Sequence, residues 1–179
     1  MPRKKPANTK IPRNKSAQKR EAAAKGRSRK VSAIPKGYQA VIPYLAVRDG
    51  TAALDFYQHV FGAKKLQEYR PGGRLAHAEL KIGGAYLMLS EADPKQEFFA
   101  PKPGQVTDST MIYLDDVDEV VERAVHAGAR LVTPVVDMPF GDRSGTIVDP
   151  FDHRWMVSTH IEDVSPREAE RRMKSAHMS

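Results

Sequence analysis

Two stretches of this chain carry side chains able to move protons or hold a metal. In "LAHAELKI", residues 75–82, an imidazole and a carboxylate stand two apart, at His77 and Glu79. Strand alternation places Ala76, Ala78, Leu80 and Ile82 on one face and His77, Glu79 and Lys81 on the other. Such a pair can serve as acid and base, or as two ligands of a metal. An ordinary polar strand face shows the same alternation without any function. In "GDRSGTIVDPFDHRW", residues 141–155, His153 follows Asp149-Pro150, a turn signal. That placement makes His153 a turn residue rather than a catalyst. His59 and His126 lie beside apolar helical stripes and read as exposed.

Other chemistries are excluded by type. The chain has no cysteine, which removes disulfides, thiolate metal sites and cysteine nucleophiles. It lacks the GxGxxG, P-loop, HExxH and GxSxG patterns, so nucleotide-dependent and serine-hydrolase readings have no support.

The elements that position His77 and Glu79 recur in order. "YQAVIPYLAV", residues 38–47, predicts a strand, with Val41, Leu45 and Val47 on one face and Ile42, Tyr44 and Ala46 on the other. Asp49 is placed to cap a helix whose Ala53, Phe56, Tyr57 and Val60 form its apolar stripe, and Gly62 ends it. Three short strands follow, "AKKLQEY", "GRLAHAELKI" and "AYLMLS", punctuated by Gly72-Gly73 and Gly83-Gly84. The same sequence of events then repeats: strand "STMIYLDD", cap Asp116, stripe Val117, Val120, Val121, Ala124 and Val125, stop Gly128, strand "ARLVTP", and strands around "SGTIVD" and "HRWMVST". Superposing Gly62 on Gly128 aligns cap, stripe, stop and following strand, which points to an internal repeat of a βαβββ module. "SPREAERRMK" opens a last helix with Ser165, Pro166 and Glu168.

Charge separates a tail from this domain. Residues 1–32 hold twelve of the 29 Lys and Arg but one of the 22 acids, a net +11, whereas the remaining 147 residues carry −4. The tail has too little apolar surface to offset its ordering entropy, and reads as disordered over residues 1–33. The expected organisation is tail 1–33, first module 34–92, linker 93–106, second module 107–162, and C-terminal helix and tail 163–179. Weak, sequence-independent attraction of nucleic acid to residues 1–33 is the functional reading of the tail, and it would fall steeply with salt. A solubilising extension is the other. No apolar run approaches the roughly 18–20 residues that span a bilayer, and no secretory apolar region opens the chain. A soluble cytoplasmic protein without a membrane partner is expected.

The paired modules, with "VIPYLAVRDGTAALDFYQHVFGA", "HAELKIGG" and "GDRSGTIVDPFDHRW", resemble the vicinal-oxygen-chelate superfamily of glyoxalases, bleomycin-resistance proteins and extradiol dioxygenases, and within it a PhnB-like branch. The resemblance covers about residues 35–173. It implies an α+β fold in which two tandem βαβββ modules form a cupped mixed sheet with helices outside, plus a short C-terminal helix. In metal-using members a divalent ion sits on the cup floor, held by His, Glu or Gln. The matching positions here are Ile42, Met88, Ser109 and Met156, none of them a usual ligand, so no metal cofactor is expected, a displaced divalent site being the alternative. The implied pocket is lined by Ile42, Tyr44, Tyr86, Met88, Ser109, Met111, Tyr113 and Met156, with Arg143 and His153 at the rim. Three functions follow: a protein that binds or sequesters an apolar or aromatic small molecule; a lyase, isomerase or dioxygenase using His77 and Glu79; and a polyanion-associated protein acting through its tail. The resemblance also implies a homodimer, which a monomeric mass in light scattering would contradict.

Overall fold

The computed structural model describes residues 31–106 and 108–176. Of the described residues, 31–36 fall outside the compact unit that starts at Gly37, and everything below concerns that unit. The basic tail expected over residues 1–33 lies, as far as Lys30, outside the described residues.

The first module runs β1 (Tyr44–Val47), α1 (Gly50–Phe61), β2 (Lys64–Tyr69), β3 (His77–Ile82) and β4 (Ala85–Glu91). Its four strands make one sheet in the order β1-β4-β3-β2, with β1 and β4 parallel and the other pairs antiparallel. The second module repeats this as β5 (Thr110–Tyr113), α2 (Val117–His126), β6 (Arg130–Asp137), β7 (Asp142–Val148) and β8 (Arg154–His160). Its sheet has the order β5-β8-β7-β6. Helix α3 (Pro166–Ala176) closes the chain. Among the described residues no helix is long and apolar enough to cross a membrane.

Local chemistry sets the helix ends where the sequence places them. Asp49 Oδ1 accepts the Thr51 and Ala52 amides at 3.0 Å each, and Asp116 Oδ1 accepts the Glu119 amide at 3.0 Å. After each helix the chain turns through the left-handed region, at Gly62 (φ 64°) and Gly128 (φ 95°). Two expectations fail. Strand β1 begins at Tyr44 rather than Tyr38, because Pro43 has no N–H to give a ladder and Val41 is solvent-exposed. Val125 also leaves the α2 stripe and is exposed.

Each sheet turns one face to the helices. Leu45, Val47, Ala78, Leu80, Leu87 and Leu89 are buried under α1, and Ile147, Trp155 and Val157 lie in the same buried cluster as Val120, Val121 and Ala124 of α2. Fully burying one such side chain contributes about 1.5–3 kcal/mol. The two modules share this core. Trp155 of β8 packs at 4.7 Å from the Phe61 ring and 5.5 Å from the Tyr57 ring, both on α1. Buried Asp149 joins them: its Oδ2 accepts Tyr57 Oη and Trp155 Nε1 at 2.8 Å each, and its Oδ1 accepts the Phe151 and His153 amides at 2.9 Å each. The opposite face of each sheet is open, leaving Tyr44, Met111 and Tyr113 exposed.

Candidate functional site

On the open face of the first sheet, strand register aligns four side chains in a row. Gln67 lies opposite Glu79, Glu79 opposite Met88, and Met88 opposite Tyr44. Glu79 is buried although its face is open, because polar neighbours cover it. Tyr38 Oη donates to Glu79 Oε2 at 2.5 Å, and the Tyr38 ring stacks on Tyr86 with centroids 4.3 Å apart. His77 Nε2 lies 3.4 Å from Glu79 Oε1, and His77 Nδ1 lies 2.8 Å from Tyr44 Oη. The Glu79 carboxylate accepts, so Nε2 carries the hydrogen in neutral His77 and Nδ1 is left to accept the Tyr44 hydroxyl. Burial pulls the Glu79 carboxyl upward, but hydrogen bonds from Tyr38, Gln67 and His77 outweigh it and hold the group below the usual range. In turn the bond to Glu79 pushes the Tyr38 phenol up to about 12.

The second sheet carries a cluster that the sequence reading did not single out. Tyr113 Oη donates to buried Asp142 at 2.6 Å, and His160 Nδ1 meets the same carboxylate at 2.8 Å. His160 Nε2 lies 3.1 Å from Asp163. A carboxylate stands at each ring nitrogen, and the Asp142 bond followed by the Asp163 bond raises the imidazole pKa. Burial pulls the Asp142 carboxyl up, and the Tyr113 and His160 bonds outweigh it. The signal was present as a cross-strand pair, Asp142 opposite His160, but it depends on the β7–β8 register.

Two cavities adjoin these faces. One of about 380 Å³ is walled by Tyr44, Phe98, Arg74, Ser90, Glu91 and Asp93. The Phe98 ring stands edge-on to Tyr44 at 5.5 Å, brought there by a bridge between Asp93 and Phe98 in the linker. A smaller one, about 150 Å³, lies beside Tyr86 and Met111. Met88 and Met156 are half-buried in the rows opposite Tyr44 and Met111, and Ile42 is half-buried ahead of β1. Tyr113 is tied to Asp142, and Ser109 Oγ accepts from Arg154 at 2.8 Å. Of the residues expected to share one pocket, Tyr44 walls the larger cavity and Tyr86 and Met111 wall the smaller, whereas Ile42, Met88, Ser109, Tyr113 and Met156 wall neither.

The two residues expected at the rim stand elsewhere. His153 belongs to the turn but is buried, and its Nε2–H donates to the Ala46 carbonyl at 3.0 Å, which pins β1 to the β7–β8 turn. Arg143 is held by Asp118 of α2 at 2.6 and 2.8 Å and by Asp137 at 2.7 Å, on the helix side of its sheet. A guanidinium so engaged is not offered to a ligand.

Duplicated βαβββ modules with an open sheet face apiece match a known architecture. The family model described as the Glyoxalase/Bleomycin resistance protein/Dioxygenase superfamily matches residues 39–157. The chain belongs to this superfamily. An uncharacterised protein of Mycobacterium bovis, Mb0911c, is 36% identical over 141 residues, covering 76% of this chain and 93% of that one. Among solved structures, TioX from Micromonospora sp. ML1 shares 28% identity with a TM-score of 0.54, over 69% of this chain and 99% of that chain. The fosfomycin resistance protein FosX from Listeria monocytogenes, solved with Mn(II) and sulfate, shares the fold at 18% identity and a TM-score of 0.53, over 75% of this chain and 96% of its own.

The four positions expected to match the superfamily's metal ligands carry no imidazole or carboxylate. Ile42 and the two thioethers of Met88 and Met156 offer no hard donor, and the Ser109 hydroxyl is already taken by Arg154. Among the described residues, no three His, Asp or Glu side chains converge as a metal cage requires.

Proposed function

We propose that this superfamily member binds a small apolar or aromatic molecule against the open face of its first sheet, without a metal at the superfamily's usual position. The observation that carries this reading is the cavity of about 380 Å³ between Tyr44 and Phe98, with polar groups from Ser90, Glu91 and Arg74 at its walls. Ligand sites combine this size with aromatic walls and a few polar groups that fix orientation.

Fluorescence titration with the uncharged naphthyl ketone prodan tests the reading. Half-buried Ala76 lines this cavity, so Ala76→Glu sets a charge against the bound ring and weakens binding about tenfold or more. Glu122→Gln, on an exposed position of α2, leaves the affinity unchanged. Equal affinity in both variants would place the ligand elsewhere.

The metal part of the proposal has its own check. Elemental analysis of protein purified without a metal-affinity tag is expected to show far less than one metal ion per chain. Near-stoichiometric nickel, zinc, iron or manganese, lost in His77→Ala, would overturn it in favour of a displaced site.

A further inference from the structure

Four tyrosine hydroxyls of this domain are engaged by ionisable partners, and one differs in kind. Tyr38, Tyr57 and Tyr113 donate to carboxylates, Glu79, Asp149 and Asp142. A carboxylate neighbour penalises the phenolate and keeps these hydroxyls protonated, as their raised pKa values reflect. Tyr44 donates instead to an imidazole nitrogen, His77 Nδ1, at 2.8 Å. A neutral base can take that proton and leave a pair of opposite charges. The far side of the same ring faces the Glu79 carboxylate, which favours the imidazolium so formed. Tyr44 is also part of the cavity wall, with Phe98 edge-on to it. Glu79 is buried and engaged by Tyr38, Gln67 and His77. It holds the relay from behind.

We propose that Tyr44 is the acid–base group of this domain, with His77 as its proton acceptor and Glu79 as a positioning residue, acting on a small planar compound that carries a carbonyl or hydroxyl oxygen. The proposal rests on the reading that the cavity beside Tyr44 holds the ligand. When Tyr44 acts as base, its hydroxyl proton moves to His77 Nδ1 and the phenolate oxygen takes a proton from the ligand. The reverse transfers restore the neutral phenol and imidazole. No oxidant, metal or further reactant enters the balance.

The relay is tested with benzenesulfonyl fluoride, an aromatic electrophile. The Tyr44 oxygen forms a bond to sulfur, the S–F bond breaks, fluoride leaves, and the phenol proton passes to His77 and then to water. Labelling is followed by peptide mapping, with Tyr69 as an internal reference because it is more exposed, 64% against 42% for Tyr44. Tyr44 is expected to react about tenfold or more faster than Tyr69, which converts to about 1.4 kcal/mol in activation free energy. His77→Gln keeps an acceptor for the hydroxyl but cannot take its proton, so it brings Tyr44 down to the Tyr69 rate. In the unsubstituted protein, the Tyr44 rate should fall on acidification along the titration curve of the His77 Hε1 NMR signal. Glu79→Gln, which removes the carboxylate behind the ring, should slow Tyr44 labelling and leave the Tyr69 rate unchanged, a selective loss that general loosening of the fold would not produce. The titratable and charged groups on this side are Glu79 next to the ring, Tyr69 opposite His77 across the β2–β3 pair, Tyr38 and Lys81 farther along the same face, and Arg74, Glu91 and Asp93 around the cavity. Equal rates at Tyr44 and Tyr69 would overturn the relay, as would a Tyr44 rate indifferent to His77→Gln. Should that variant not fold, the rate comparison and pH curve in the unsubstituted protein decide. Fast Tyr44 labelling without prodan binding would overturn the pocket reading alone, and prodan binding with slow labelling would overturn the relay alone.

Discussion

Asp149→Ala is expected to destabilise the domain by about 4 kcal/mol or more, a large share of the roughly 5–15 kcal/mol by which folded domains are stable. The carboxylate is 3% exposed and accepts four hydrogen bonds, from Tyr57 Oη, Trp155 Nε1 and the Phe151 and His153 amides. Alanine removes every acceptor and leaves the four donors facing apolar neighbours, each orphan costing roughly 1–3 kcal/mol before any relaxation. Calorimetry would register a fall in Tm of about 10 °C or more for a chain of this size. Asp149→Asn should fall between: its oxygen still serves the two backbone amides, while its NH2 group confronts the Trp155 N–H. Adding Tyr57→Phe to Asp149→Ala should cost less than Tyr57→Phe alone, because the orphaned hydroxyl is then gone. A loss below about 1 kcal/mol in Asp149→Ala would mean that water or a neighbour replaces the carboxylate, and that the modules are not joined there.

Gly141→Ala is expected to be the second large effect, and a local one. Gly141 sits at φ 94°, and an added Cβ would fall 2.0 Å from the Glu162 carbonyl oxygen and 2.9 Å from Val164 Cγ2. The nearer obstacle is backbone, which cannot rotate away. The Gly141 carbonyl also accepts the amides of Ile161 and Glu162, at 2.9 and 3.0 Å, and so ties the lead-in to α3 to the start of β7. Strain and clash together cost about 3 kcal/mol, concentrated in this joint. Hydrogen exchange should therefore speed up by about a hundredfold at Ile161 and Glu162, a protection loss of about 2.7 kcal/mol. The amides of β3 and β4 should keep their protection. Unchanged exchange at Ile161 and Glu162 would show that the segment is not held by this contact.

What the sequence made legible was local. Caps at Asp49 and Asp116 and left-handed turns at Gly62 and Gly128 act within a few residues, so their signals survive without tertiary information. The alternation around His77 and Glu79 set which face they share, and the internal repeat set the order of elements. The partners of Glu79 were not legible. A bulge between Lys65 and Gln67 shifts the β2–β3 register so that Gln67, rather than Leu66, stands opposite Glu79. Tyr38 reaches the same carboxylate from 41 residues away, ahead of the strand the alternation predicted to contain it. His153 misled for a related reason. Its turn was readable, but the acceptor of its ring nitrogen, Ala46, is 107 residues distant, and nothing local separates a surface turn from one buried by another module. Arg143 looked available because its loop is polar, whereas the two carboxylates that occupy it come from α2 and β6.

The bond between Tyr57 and Asp149 spans 92 residues, and that distance has a consequence during synthesis. At about 5–20 residues per second, helix α1 leaves the ribosome roughly 5–20 s before the carboxylate its hydroxyl requires. Over the same interval Phe61 lacks the indole of Trp155 that will cover it. The first four strands can pair in the meantime, because every partner they need is already made. Their helix, however, still presents a wet hydroxyl and a bare aromatic face to whatever passes. The half-made chain, with its first sheet formed and that face uncovered, is therefore the form most in need of a chaperone.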